Sequence, residues 1–217
     1  RAASKRPVQS VTQASSTPVF FATLRFMHTP PRDDKVSHLD QWLEEEAQQK
    51  ARLADAHARH GDLDYLTSDT LHTHAGVDIM QAIARGDLLA PSIGKTLDFL
   101  LMSVEEGQAV FQGTPGPSVL NPMGGVHGGW YATLLDSAMA CAVHTKLPKG
   151  RAYTTAELSV NLVRGIGRTT RVRAIGRVLH CGRQMATAEG KLVGPDGTLY
   201  AHGTTTCLIF EAPPPQV

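Results

Sequence analysis

Residues 128–145 constrain this chain more than any other stretch. They read as a helix that is apolar nearly all round, and a helix of that character is normally buried. Something must therefore wrap it, and the sequence that follows supplies the wrapper. In 154–162, Ala156, Leu158, Val160 and Leu162 alternate with Thr155, Glu157, Ser159 and Asn161, the period of a half-buried strand. In 171–178, Val172, Ala174 and Val178 lie opposite Arg171, Arg173 and Arg177. Two more strands are expected at about 184–193 and 198–210, with Gly194, Pro195, Asp196 and Gly197 as the turn between them. Before the helix, 97–104 and 109–113 read as strands joined through Glu105, Glu106 and Gly107, and the Pro- and Gly-rich 114–125 reads as a loop. One apolar helix and one antiparallel sheet satisfy each other when the sheet wraps the helix. The class is α+β, and the last three or four strands read as a meander.

The N-terminal part has a different pattern. Residues 1–36 read as irregular. A helix is expected over about 38–60, with Ser37 as N-cap and Leu39, Trp42, Leu43, Leu53 and Ala54 as a partial apolar stripe. Glu46 and Lys50 form a favourable i,i+4 pair, Gly61 is a suitable stop, and the charges read as a solvated face. A short helix over 77–84 turns Ile79, Met80 and Ile83 inward and ends at Gly86, followed by a loop containing Pro91. The chain thus divides into an extension (1–75), a single domain (76–212) and a tail (213–217). Residues 1–26 carry Arg1, Lys5, Arg6 and Arg25 and no acid. That is faintly like a targeting peptide, although an unstructured tail is the simpler reading. A cytoplasmic location is expected, with organellar targeting by this segment left open.

Composition removes several function classes. A net charge of +1 gives no general pull towards nucleic acid or membrane. No apolar run approaches the ~20 residues of a membrane span. Cys141, Cys181 and Cys207 have no metal-ligand spacing. Their odd number and wide spacing suggest free thiols in a reducing compartment. No metal site is expected.

The chemistry gathers at 121–136. The run Asn-Pro-Met-Gly-Gly-Val-His-Gly-Gly at 121–129 leads straight into the apolar helix. Adjacent glycines at a helix start leave backbone N–H groups unshielded, and with the helix dipole behind them these suit a developing oxyanion. A tight loop that needs glycine to turn accounts for the same residues equally well. Asp136 is the only acidic residue between Glu106 and Glu157, and it sits among Leu134, Leu135, Ala138 and Met139. A buried lone carboxylate is costly unless it is paired or functional. It is either a hydrogen-bonded structural Asp, or a general base or nucleophile. Gly128 and Asp136 are eight residues apart on one helix, roughly 12 Å at 1.5 Å per residue. They cannot both touch one scissile carbonyl. If both act, Gly128 of one subunit must meet Asp136 of another across a two-fold axis.

Asn-x-x-Gly-x-x-His-Gly-Gly followed by Thr-Leu-Leu-Asp resembles the PaaI-type (phenylacetic-acid-degradation type) thioesterases of the hotdog superfamily. Asn121, Gly124, His127, Gly128, Gly129 and Asp136 fall on that pattern, and the likeness runs from about 77 to 210, including Glu-Leu-Ser-Val-Asn-Leu-Val-Arg at 157–164. The resemblance implies a hotdog fold and hydrolysis of an acyl-CoA, with coenzyme A as part of the substrate and no other cofactor. It implies that the Gly128 N–H polarises the thioester carbonyl and that Asp136 of the partner activates water or attacks. By the same likeness Asn121 orients water or the reacting group, and His127 hydrogen-bonds near the thioester or braces the loop. Thr155, with Thr154 beside it, is the counterpart of a Ser that positions water in some relatives. Gly129 belongs to the substrate-binding loop. A homodimer is implied, or a tetramer built from two dimers.

Arg164, Arg168, Arg171, Arg173, Arg177 and Arg183 occupy a span without acid between Glu157 and Glu189, and Arg suits phosphate recognition. Most read as solvent-facing. Arg164 and Arg183, at a strand end and in a loop, are the better candidates for the phosphates of CoA. Trp130 and Tyr131 line an acyl pocket or pack the core. Two rival readings exist. A non-catalytic acyl-CoA-binding module has no use for the lone carboxylate, and a hotdog dehydratase wants a different His/Asp arrangement.

Overall fold

A computed structural model of the protein describes residues 37–60 and 66–215. The irregular and targeting-like readings of 1–36, the stop at Gly61 and the last two residues of the tail lie outside these residues. The elements run α1 (Leu39–His60), α2 (Ser68–Thr73), α3 (Gly76–Arg85), α4 (Ser92–Leu97), β1 (Phe99–Glu105), β2 (Gln108–Gly113), α5 (Gly128–His144), β3 (Arg151–Leu162), β4 (Val172–Cys181), β5 (Met185–Val193) and β6 (Leu199–Glu211). A single 3-10 turn, Pro117–Val119, sits in the loop before α5. Among the described residues no helix is long and apolar enough to cross a membrane.

The wrapped helix is α5. Leu134, Leu135, Ala138, Met139, Ala142 and Val143 are fully buried, and α5 packs on every strand of the sheet. The six strands pair antiparallel in the order β1-β2-β4-β5-β6-β3. Gly176 on β4 lets α5 lie this close: a Cβ there would overlap the Ala138 carbonyl. The core continues into α3 through Ile79, Met80 and Ile83, the residues expected to face inward.

One expectation is corrected. The loop containing Pro91 holds a helix, α4. Pro91, held at φ −57, leads into it, and Asp98 closes it at φ +52, so β1 starts at Phe99 rather than at 97. Of the three or four strands expected as a meander after α5, three form one, β4 to β6. β3 crosses the structure and pairs with β6 as the far edge, a non-local pairing that alternation along the chain does not encode.

Most charges on α1 form the expected solvated face, with Asp40, Glu44, Lys50, Arg52, Asp55 and Arg59 exposed, but Glu46 departs from it. Glu46 is 7% exposed and accepts from Lys50 at 2.7 Å, Arg171 at 2.8 Å and Gln112 at 2.8 Å. Gln112, itself buried, also donates to the Trp42 carbonyl and accepts from Arg173. Arg173 pairs with Glu45 and lies 4.3 Å from the centroid of the Trp42 ring. Burial pushes the Glu46 carboxyl up, but the hydrogen bonds from Arg171, Lys50 and Gln112 outweigh it and hold the pKa at about 2. The expected Glu46–Lys50 pair is therefore one arm of a network that fastens α1 to β2 and β4. In this network Arg171 and Arg173 are structural.

Candidate active site

The loop before α5 is braced by its own side chains. The Asn121 Oδ1 accepts the N–H groups of Met123 at 3.0 Å and Gly125 at 3.1 Å. Gly124 takes φ +78, a conformation that costs a side chain with a Cβ, and its carbonyl accepts both Nε and Nη2 of Arg168. His127 is the N-cap of α5, and its Nδ1 accepts the Gly129 N–H at 2.9 Å. An accepting Nδ1 leaves the ring proton on Nε2. The Trp130 N–H goes to the His127 carbonyl. Of the first three N–H groups of α5, that of Gly128 alone makes no hydrogen bond among the described residues. It stands at the positive end of the helix dipole.

Two turns further along α5 lies Asp136, half-buried, with its Oδ1 accepting the Thr155 hydroxyl at 3.0 Å. Burial raises its pKa above the ordinary carboxylate value, and the Thr155 hydrogen bond partly offsets this. The contact depends on an irregularity in β3. The β3–β6 register shifts between Thr155 and Glu157. Thr155 pairs with Cys207, and Leu158, Val160 and Leu162 pair with Thr205, Gly203 and Ala201, all inward positions of β6. The bulge at Ala156 thus puts Thr155 on the same face as Leu158. Strict alternation had set Thr155 and Leu158 on opposite faces. Tyr153 shares the face of Thr155 and packs its ring 5.4 Å from that of His144. Cys141 stays a thiol, since burial, then the nearby Asp136 charge, push its pKa up to about 12. The other two cysteines, Cys181 and Cys207, are also free.

The structure brings Asn121, His127, Gly128 and Gly129 together at the start of α5, and Asp136 and Thr155 together along it, as two separate groups. Asn121 spends its carbonyl oxygen on the loop, so any role towards a substrate falls to Nδ2. The Gly129 N–H is taken by His127. Thr154 is exposed on the opposite face of β3 from Thr155. Trp130 is 3% exposed and donates its indole N–H to the Leu97 carbonyl at 2.9 Å. It packs edge-to-face on Tyr131, whose hydroxyl accepts the Ile166 N–H. Both rings belong to the core. Arg164 is exposed, and its carbonyl accepts the Tyr131 hydroxyl at the same end of α5 as Gly128. Arg183 lies elsewhere, its carbonyl held by Arg151 at 2.8 Å. Arg168, one of the arginines in the acid-free span that mostly read as solvent-facing, grips the glycine loop. The only signal for it was its place in the acid-free span.

Residues 123–201 match the family model described as Thioesterase superfamily. No curated protein matches the sequence. Among solved structures, the TT0310 protein from Thermus thermophilus is 28% identical, with 55% of this chain and 98% of that one covered at a TM-score of 0.51. A phenylacetic acid degradation-related protein from Ralstonia eutropha is 27% identical, with 59% and 98% covered at a TM-score of 0.55. A variant of the phenylacetic acid degradation protein PaaI, also from Thermus thermophilus, is 28% identical, with 54% and 96% covered at a TM-score of 0.50. The fold is a hotdog fold, and residues 123–201 are similar to the thioesterases that share it. Within that class the likeness is to the PaaI type, as the motif at 121–136 implied.

Proposed function

We propose that the protein hydrolyses an acyl-CoA thioester to the free acid and coenzyme A, using Asp136 as general base. The observation that carries this reading is the half-buried Asp136 carboxylate, raised in pKa by its surroundings and held by a single hydroxyl. A base poised above the usual carboxylate range is better matched to water as its proton donor. Asp136 takes a proton from water as the water oxygen bonds to the thioester carbon. The carbonyl oxygen gains the electron pair and is met by the Gly128 N–H. Collapse of this adduct re-forms the carbonyl and breaks the C–S bond. The departing thiolate of CoA takes the proton from Asp136.

The site is proposed to be shared between two copies. On one helix the two groups are too far apart, and a pairing of β3 edges resolves this. β3 is an outer strand, with Leu158, Leu162 and Val163 exposed. An antiparallel pairing of two β3 strands centred between Leu158 and Ser159 sets position 162 of one copy opposite position 155 of the other. Leu162 lies against Gly128, since a Cβ at 128 would stand 3.1 Å from the Leu162 Cδ1, and Thr155 holds Asp136. The same pairing brings Arg151, with Arg183 bonded to it, beside Arg164 of the other copy. In this arrangement Arg164, Arg168 and Arg183 serve the CoA phosphates.

The test is thiol release from a panel of aryl- and alkyl-CoA esters by wild type and by Asp136→Ala. Turnover that falls by about 10³-fold in a folded mutant supports the reading, within the usual range for a lost general base. Equal, slow release by both proteins overturns it in favour of a module that binds acyl-CoA without hydrolysing it.

A further inference from the structure

A cavity of about 800 Å³ is lined from α1, α3, α4, β1, β2, α5 and β3. Its walls are chiefly apolar, with Leu53 from α1, Met80 and Ile83 from α3, Phe99 and Leu101 from β1, and Phe111 from β2. Ser137, Cys141 and His144 of α5 and Tyr153 of β3 also line it. Asp136 and Thr155 do not line the cavity themselves, but Cys141 and Tyr153 lie near enough to Asp136 to sense its charge, and Tyr153 shares the strand face of Thr155. The polar groups of Ser137, Cys141, His144 and Tyr153 are all uncharged. Burial holds the His144 pKa at about 4, the Cys141 thiol is raised to about 12, and Tyr153 is raised well above its ordinary value. Charged side chains, Lys50, Lys95 and Asp98, belong to the cavity's exposed lining.

Much of the lining comes from before residue 123, outside the matched thioesterase segment. α1, anchored through Glu46, supplies Leu53 and Ala54, and the segment around α4 supplies Leu89, Pro91 and Ile93. We infer that α1 and the α4 segment form the wall of a binding site for a long fatty acyl chain, with its carbonyl end towards Asp136. This rests on the acyl-CoA reading above and names its substrate class. The size favours a long chain over a compact aryl group, because about 800 Å³ is near the upper end of the ~300–1,000 Å³ typical of small-molecule sites. An uncharged, apolar interior recognises methylenes and rejects a charged or polyhydroxylated acyl group.

The test uses the full chain and two hydrolysis-resistant thioethers, S-dodecyl-CoA and S-ethyl-CoA, with affinity read by calorimetry. Each methylene transferred from water into such a site is worth roughly a fourfold gain. Wild type is expected to bind the dodecyl compound at least ~100-fold more tightly than the ethyl one. Leu53→Trp fills the cavity from α1, and Ala54→Trp does so from an exposed position of α1 that a large side chain disturbs less. Either is expected to weaken dodecyl binding by about tenfold or more and to leave ethyl binding unchanged. Equal affinity for the two thioethers in wild type overturns the inference, as does unaltered dodecyl binding in both folded Trp variants. Because the readout is binding, it separates from the hydrolysis question. Dodecyl selectivity without turnover of dodecanoyl-CoA keeps the cavity and discards the hydrolase. Turnover with no chain-length selectivity does the reverse.

Discussion

At residue scale the pair Asp136 and Thr155 sets how the protein should respond to pH. Burial raises the Asp136 pKa, and the Thr155 hydroxyl, by donating to the ionised carboxylate, lowers it. In its proposed role as general base Asp136 works only when ionised, so activity should be lost as pH falls through its pKa. Thr155→Val removes the donor, which raises that pKa further. The acidic limb of the kcat/KM–pH profile should therefore move to higher pH in Thr155→Val, with the limiting rate lower by about tenfold. A profile that keeps its midpoint would show that Thr155 does not tune the base. Asp136 was legible in the sequence as the single acid in a long apolar stretch. Its partner was less so, because Thr155 reaches Asp136 only through the bulge at Ala156, and a simple alternation of faces contains no sign of a bulge.

At the scale of elements, α1 is the informative case. Its helical pattern and the Glu46–Lys50 pair were readable from local spacing, and both are present. Its destination was not readable, because the partners Gln112 and Arg171 lie 66 and 125 residues away. The network makes a stability prediction. Glu46 has a folded pKa of about 2 against an ordinary 4.5, so its contribution is present above about pH 4.5 and is lost as pH falls towards 2. Glu46→Gln leaves Arg171 without its carboxylate and should cost about 3 kcal/mol at neutral pH, measured by urea unfolding. The gap between wild type and Glu46→Gln should narrow as pH drops through that window. A constant gap down to pH 3 would mean that packing of α1, and not the ionised carboxylate, carries the effect.

For the whole molecule the two sheet edges differ. The β1 edge is packed by α1, α3 and α4, while β3 pairs only with β6 among the described residues and leaves Leu158, Leu162 and Val163 exposed. An exposed apolar edge strand invites another chain. In the proposed shared site, Leu158→Lys places like charges on both sides of the two-fold axis. It should yield a folded monomer by sedimentation velocity whose thioesterase rate falls with the loss of dimer. A monomeric variant with full activity would show that one copy holds a complete site.

The sequence by itself determined that a helix at 128–145 had to be buried, that an antiparallel sheet was there to bury it, and that a glycine-rich loop and a lone carboxylate stood at its start and middle. Each of these follows from local spacing, because periodicity and isolated charge are properties of neighbours along the chain. Tertiary structure alone decided the strand order, the inward turn of Thr155, the anchoring of α1 and the cavity it helps to enclose. Those depend on residues brought together from far apart in the chain, and their pairing is selected by the packing of the whole fold rather than by any pattern within one segment.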